Sequence, residues 1–152
     1  MKKILVCVLS LLMLISLAAC GKDAAKDVDL QKIYDSYQEY LPDMMVLDDN
    51  TMFNLLGIKA EDCTQVIAAV CSAGLQADEV WLIQAKDQAA LDRLLALAKT
   101  RQTAKEDETE SYLPDQYVIV KESKTLTDGL YLAYLVSPHV QELQTAFENA
   151  VK

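Results

Sequence analysis

The chain has 152 residues, 52% of them hydrophobic, with 14 Lys and Arg against 23 Asp and Glu and a formal net charge of −9. That balance argues against a nucleic-acid-binding surface and against adsorption to anionic headgroups. One histidine, four cysteines and four glycines leave little material for metal-site, triad or phosphate-loop chemistry.

The N-terminus carries the sharpest signal. Lys2 and Lys3 precede residues 4–19, apolar except for Ser10 and Ser16. That run is short for a span, which needs about 20 helical residues. It fits a secretory signal peptide. The run ends in Leu17-Ala18-Ala19-Cys20 followed by Gly21, which resembles the bacterial lipobox. In signals of that kind the thiol takes diacylglycerol and the peptidase cuts before the cysteine. The sequence therefore predicts a signal peptide at 1–19, a lipid-anchored tether at 20–27 with the lipid on Cys20, and a single domain at 28–152. The location expected is the outer face of the cytoplasmic membrane, with the membrane as partner through the lipid. Loss of Lys2 and Lys3 leaves 12 Lys and Arg against 23 Asp and Glu, so the charge of the domain itself holds it off the bilayer.

Asp29 caps a first helix with Leu30, Ile33, Tyr34, Tyr37 and Leu41 on one face. Pro42 ends it through Leu41. Tyr34, Tyr37 and Tyr40 recur every three residues, drift around a 3.6-residue helix, and are the candidate partner-binding ridge, part core and part surface. Residues 48–50 cap a short helix that Gly57 closes. Residues 62–72 fit a helix or a buried strand, and periodicity does not choose. Cys63 and Cys71 within that run read as small buried apolar side chains. They are too far apart in a regular element for a disulfide, unless the chain bends. Residues 79–85 form a strand that packs Trp81 into a sheet.

Asp87 caps the helix of Leu91, Leu94, Leu95 and Ala98, and the charged run 105–110 is its solvated end or an exposed loop. Residues 117–121 and 130–136 read as strands, joined at Asp128-Gly129 by a turn. Ser137 and Pro138 start a last helix that buries Val140, Leu143, Phe147 and Ala150 or Val151. The repeated Tyr-Leu-Pro-Asp at 40–43 and 112–115 is shared punctuation. The fold class is α+β: an antiparallel sheet of about four strands, a ββαββα-like core covered by helices, with an N-terminal helical segment.

Tyr40-Leu41-Pro42, Gly57-Ile58, residues 79–87, residues 112–116 and Gly129-Leu130-Tyr131, in that order and spacing, resemble the bacterial lipoprotein family called domain of unknown function 4358. The resemblance spans about residues 30–137. It implies a strand at 63–72 paired with the one at Val80, implies a short lipid-anchored protein, and transfers no catalytic residue.

No catalytic, cofactor-binding or metal-ligating residue stands out. His139 is a lone histidine at a helix start. Asp48-Asp49-Asn50 lacks the spacing and glycine of a calcium loop, and no Gly-x-Ser-x-Gly elbow occurs. An enzyme would need carboxylates such as Asp43 and Glu79 to meet in a cleft. The expectation is a non-catalytic binding or scaffolding module with no cofactor, whose partner is another envelope protein. The alternative is a small-molecule or peptide-binding lipoprotein that assists a transporter.

Overall fold

A computed structural model describes residues 28–152; the expected signal peptide, tether and lipid site at Cys20 lie outside them. The elements are α1 (Leu30–Ser36), β1 (Met44–Val46), α2 (Asp49–Leu56), a 3₁₀ turn (Ala60–Asp62), β2 (Cys63–Cys71), β3 (Glu79–Ala85), α3 (Gln88–Glu110), α4 (Pro114–Lys121), β4 (Lys124–Asp128), β5 (Tyr131–Val136) and α5 (Val140–Val151). The strands form one antiparallel sheet in the order β1-β2-β3-β5-β4. The class is α+β, as expected.

Helices cover both faces of the sheet. Trp81, Ile83, Leu132 and Tyr134 point to the side packed by α2, α3 and α4. Val80, Leu82, Ala133 and Leu135 point to the side packed by α1 and α5. This explains why β5 reads Tyr-Leu-Ala-Tyr-Leu-Val without polar alternation: every residue of it is buried. Each large side chain so buried contributes roughly 1.5–3 kcal/mol.

The local signals for helix ends hold. The Asp29, Asp48 and Asp87 carboxylates accept from the N–H groups of Gln31, Thr51 and Ala90 at 3.0, 2.8 and 2.7 Å. Gly57 closes α2 at φ 74°, and a Cβ there would come 3.1 Å from the Leu97 side chain, so both backbone and packing ask for glycine. Gly129, at φ 53°, turns the β4–β5 hairpin. Residues 63–71 are a strand, registered against β3 from Cys63↔Ala85 to Val70↔Glu79.

Three expectations are corrected. Residues 117–121 are helical: Pro114 presets the first turn of α4, and Lys121 sits in its last turn. The strand expected there begins later, at Lys124. The sheet has five strands, because Met44–Val46 adds an edge beside β2. Pro42 and Asp43 look like a helix stop followed by loop, and three residues are too few for a periodic pattern. Finally, α5 begins at Val140 with His139 at its cap position; the Ser137 hydroxyl accepts from the His139 N–H at 3.1 Å, just ahead of the helix.

Candidate functional site

Tyr34, Tyr37 and Tyr40 do not drift around α1. After Tyr34 the chain tightens: the Tyr37 N–H donates to the Tyr34 carbonyl at 3.0 Å and the Tyr40 N–H to the Tyr37 carbonyl at 2.9 Å. Bonds of that kind bring residues three apart into line. All three tyrosines therefore turn toward the α5 side of the core. Tyr34 is buried, and Tyr37 is 0% exposed with its hydroxyl donating to the Leu143 carbonyl at 2.8 Å. Burial raises both phenols above their ordinary range. Only Tyr40 keeps a solvent-facing side, its ring 5.8 Å from that of His139. The three are thus part core and part surface, with Tyr40 the exposed member.

Between α1 and α5 runs an open groove made of two adjoining depressions of about 330 and 530 Å³ that share Ser36 and Ala146. Ile33 and Ala150 lie along it at one end, Tyr40 and Glu142 at the other. The start of α1 is fixed by Gln65 of β2. Its side-chain amide donates to the Val28 carbonyl at 3.0 Å and accepts from the Leu30 N–H at 3.3 Å.

The densest chemistry lies under α3. Glu79 is 0% exposed. Its carboxylate accepts from Trp81 Nε1 at 2.8 Å, from Arg101 Nε and Nη2 at 2.9–3.1 Å, and from Lys105 Nζ at 2.8 Å. Burial alone would push this carboxyl up; the Arg101 hydrogen bond and the Lys105 and Arg101 charges outweigh it and hold it below its ordinary value. A carboxylate so saturated with donors is poorly placed to take a proton from a substrate, and it ties the middle of α3 to the start of β3. The neighbouring Asp78 is also buried, and burial raises its carboxyl. Asp78, Ser137 and His139 meet at this end of the sheet. The Ser137 hydroxyl is hydrogen-bonded to the Asp78 carboxyl and its oxygen accepts from the His139 backbone N–H, while the imidazole lies beside Tyr40. Asp43 is exposed beside β1, so the structure does not bring it together with Glu79 in a cleft.

Cys63 and Cys71 are free and half-buried at opposite ends of β2, not fully buried as expected. Strand termini are less covered than strand centres. Burial pushes the Cys63 thiol up to about 11. Among the described residues no group of three His, Cys, Asp or Glu side chains could hold a metal ion, and no helix is long and apolar enough to cross a membrane.

The two sheet edges differ. On β1, Met45 and Val46 are 50% and 53% exposed, and the adjoining α2 exposes Phe53 and Leu55. On β4 the exposed positions are Thr125, Thr127 and Asp128.

The family model for Domain of unknown function (DUF4358) matches residues 36–137. The chain belongs to that family. The DUF4358 match begins at the last residue of α1 and ends just after β5. It contains the whole sheet, the Glu79 cluster and the β1 edge, and excludes α5 and nearly all of α1. No curated protein and no solved structure matches the chain.

Proposed function

We propose that this protein is a non-catalytic binding or scaffolding module, held on the outer face of the cytoplasmic membrane by lipid on Cys20. The observation that carries the reading is the concentration of exposed apolar side chains, Met45, Val46, Phe53 and Leu55, along one short segment at an open sheet edge. Such a surface suits a protein partner. The strongest cluster of ionisable groups is meanwhile engaged in holding α3 to the sheet. The lipobox residues 17–20 support the anchor. Seven residues lie between Cys20 and Val28, and the eight chain steps reach at most about 28 Å, which keeps the domain near the bilayer.

The alternative, a small-molecule or peptide-binding lipoprotein that assists a transporter, draws on the groove between α1 and α5. Its volume is in the range of ligand sites, and its open form favours the first reading. The test has two arms. Cys20→Ala should move the protein from the detergent phase to the aqueous phase on phase partition. Cross-linking of the wild-type chain in native membranes should give a discrete protein adduct. Retention of Cys20→Ala in the detergent phase would refute the anchor, and reproducible turnover of a substrate by the purified protein would refute the non-catalytic reading.

A further inference from the structure

We infer that the outer edge of β1 takes up an extended segment of a partner protein as a sixth strand, a segment apolar at its centre and flanked by Lys or Arg. The inference rests on the binding-module reading and names the partner's chemistry.

The geometry begins with hydrogen-bond direction. The Leu47 N–H donates to the Ala68 carbonyl at 2.8 Å, and the Ser72 N–H donates to the Asp43 carbonyl at 2.9 Å. Residues 43 and 47 thus face β2, and so does residue 45 between them, which pairs with Val70. Antiparallel alternation then points the N–H and C=O groups of Met44 and Val46 away from the sheet. They offer about four backbone hydrogen bonds to an incoming strand. Beside them, Met45 and Val46 expose half of their surface.

Proteins usually blunt such an edge with charge or polar side chains. The opposite edge does so: β4 reads Lys-Thr-Leu-Thr-Asp. β1 reads Met-Met-Val and places no charge on the strand. Its charges lie just outside, at Asp43, Asp48 and Asp49, all exposed. Hydrogen bonds from Thr51 hold the Asp48 carboxyl below its ordinary range, so it is ionised at neutral pH. An apolar centre between acidic flanks is complementary to a strand of the same design with basic flanks.

The same pattern opposes a second copy. Antiparallel pairing of β1 with itself about Met45 would set Asp43 of one copy beside Asp48 and Asp49 of the other, at both ends of the new ladder. Like charges so placed are destabilising.

The experiment uses the full lipid-modified chain in detergent micelles and a synthetic peptide, Lys-Arg-Thr-Val-Thr-Val-Thr-Arg-Lys, with a control in which acidic residues replace the basic ones. Amide NMR should show the Met44 and Val46 signals shifting with the basic peptide, at a dissociation constant of about 1 mM or below. The acidic peptide should bind at least ~10-fold more weakly, and added salt should weaken the basic one. Asp48→Asn with Asp49→Asn keeps a competent cap and should weaken the basic peptide several-fold. Val46→Pro removes one outward N–H and no ladder bond; it should abolish binding with an unchanged melting temperature. If Val46→Pro fails to fold, Val46→Lys serves instead. Equal binding of the two peptides, shifts confined to the groove between α1 and α5, self-association through β1, or no shift at millimolar peptide would each overturn the inference. A photoreactive residue placed at position 46 or at position 40 in native membranes separates the two levels. Protein adducts from 40 alone reject the edge and leave the binding module standing; adducts from neither reject both.

Discussion

The two faces of the sheet are held by different physics. On the side of α1 and α5, contact is almost wholly apolar, and its polar links are neutral: Tyr37 to the Leu143 carbonyl, the Val28 N–H to the Tyr131 hydroxyl, Gln65 to the backbone of Val28 and Leu30. On the side of α3, ions are added. Glu79 is buried against Arg101 and Lys105, and Asp62 is paired with Arg93 and Lys86. Area burial is non-directional. A buried charge set has one arrangement that satisfies it, so the long helix α3 is fixed in register along the sheet in a way that its apolar residues alone do not enforce.

The largest expected effect comes from breaking the charged face. Glu79→Ala leaves the buried Lys105, the half-buried Arg101 and the Trp81 N–H without their acceptor. It should destabilise the protein by about 3–5 kcal/mol in chemical denaturation. If the cluster chiefly sets register, replacing Glu79, Arg101 and Lys105 together by Met should cost far less than the single change. A triple variant as unstable as Glu79→Ala would show that the ions contribute net stability.

Acid should weaken the same face. The hydrogen bond from Arg93 is the main cause that brings the Asp62 carboxyl down to about 2, with Lys86 helping against the cost of burial, and Glu79 is also lowered. A carboxyl with a depressed folded value adds stability that is complete above its unfolded value, near 4, and is lost as pH falls through the folded one. Unfolding free energy should therefore decline from about pH 4.5 toward pH 2. Asp78, raised by burial, acts in the opposite sense and softens the slope. Asp62→Asn should flatten the decline. An unchanged acid profile in that variant would remove Asp62 from the account.

What is legible in the sequence follows the same division. The caps at Asp29, Asp48 and Asp87, the stop at Gly57, the turn at Gly129 and the stripe of α5 are local chemistry, written within a few residues. The apolar runs of β3 and β5 are also visible, though not that both of their faces are covered. The Glu79 cluster was not legible, because its cations lie 22 and 26 residues away on a helix whose charged half reads as solvated. The tyrosines divide into core and surface as their spacing suggests, but the route differs: the 3.6-residue period does not hold across a segment that tightens to three residues per turn. Residues 117–121 carry strand-like side chains, yet Pro114 and packing against α3 make them helical.

Two buried tyrosines, one on each face, allow the finest test of the contrast. Tyr37 and Tyr134 are both 0% exposed. The Tyr37 hydroxyl donates to the Leu143 carbonyl; the Tyr134 ring packs edge-on against Trp81, and its hydroxyl has the buried Ser123 hydroxyl as neighbour, in a geometry short of a well-formed hydrogen bond. Tyr37→Phe removes this buried hydrogen bond, leaving the Leu143 carbonyl with its helical partner alone, and should cost about 1 kcal/mol. Tyr134→Phe removes a buried polar atom whose only weak partner is the Ser123 hydroxyl, so it should be close to neutral or stabilise by up to about 1 kcal/mol. Both substitutions keep the ring and its packing, which isolates the hydroxyl. Urea unfolding of the two variants beside the wild type gives the signs directly. A loss at Tyr134 equal to that at Tyr37 would mean that its hydroxyl is satisfied after all, and the neutral and ionic faces would then not differ in how completely they pair their buried polar groups.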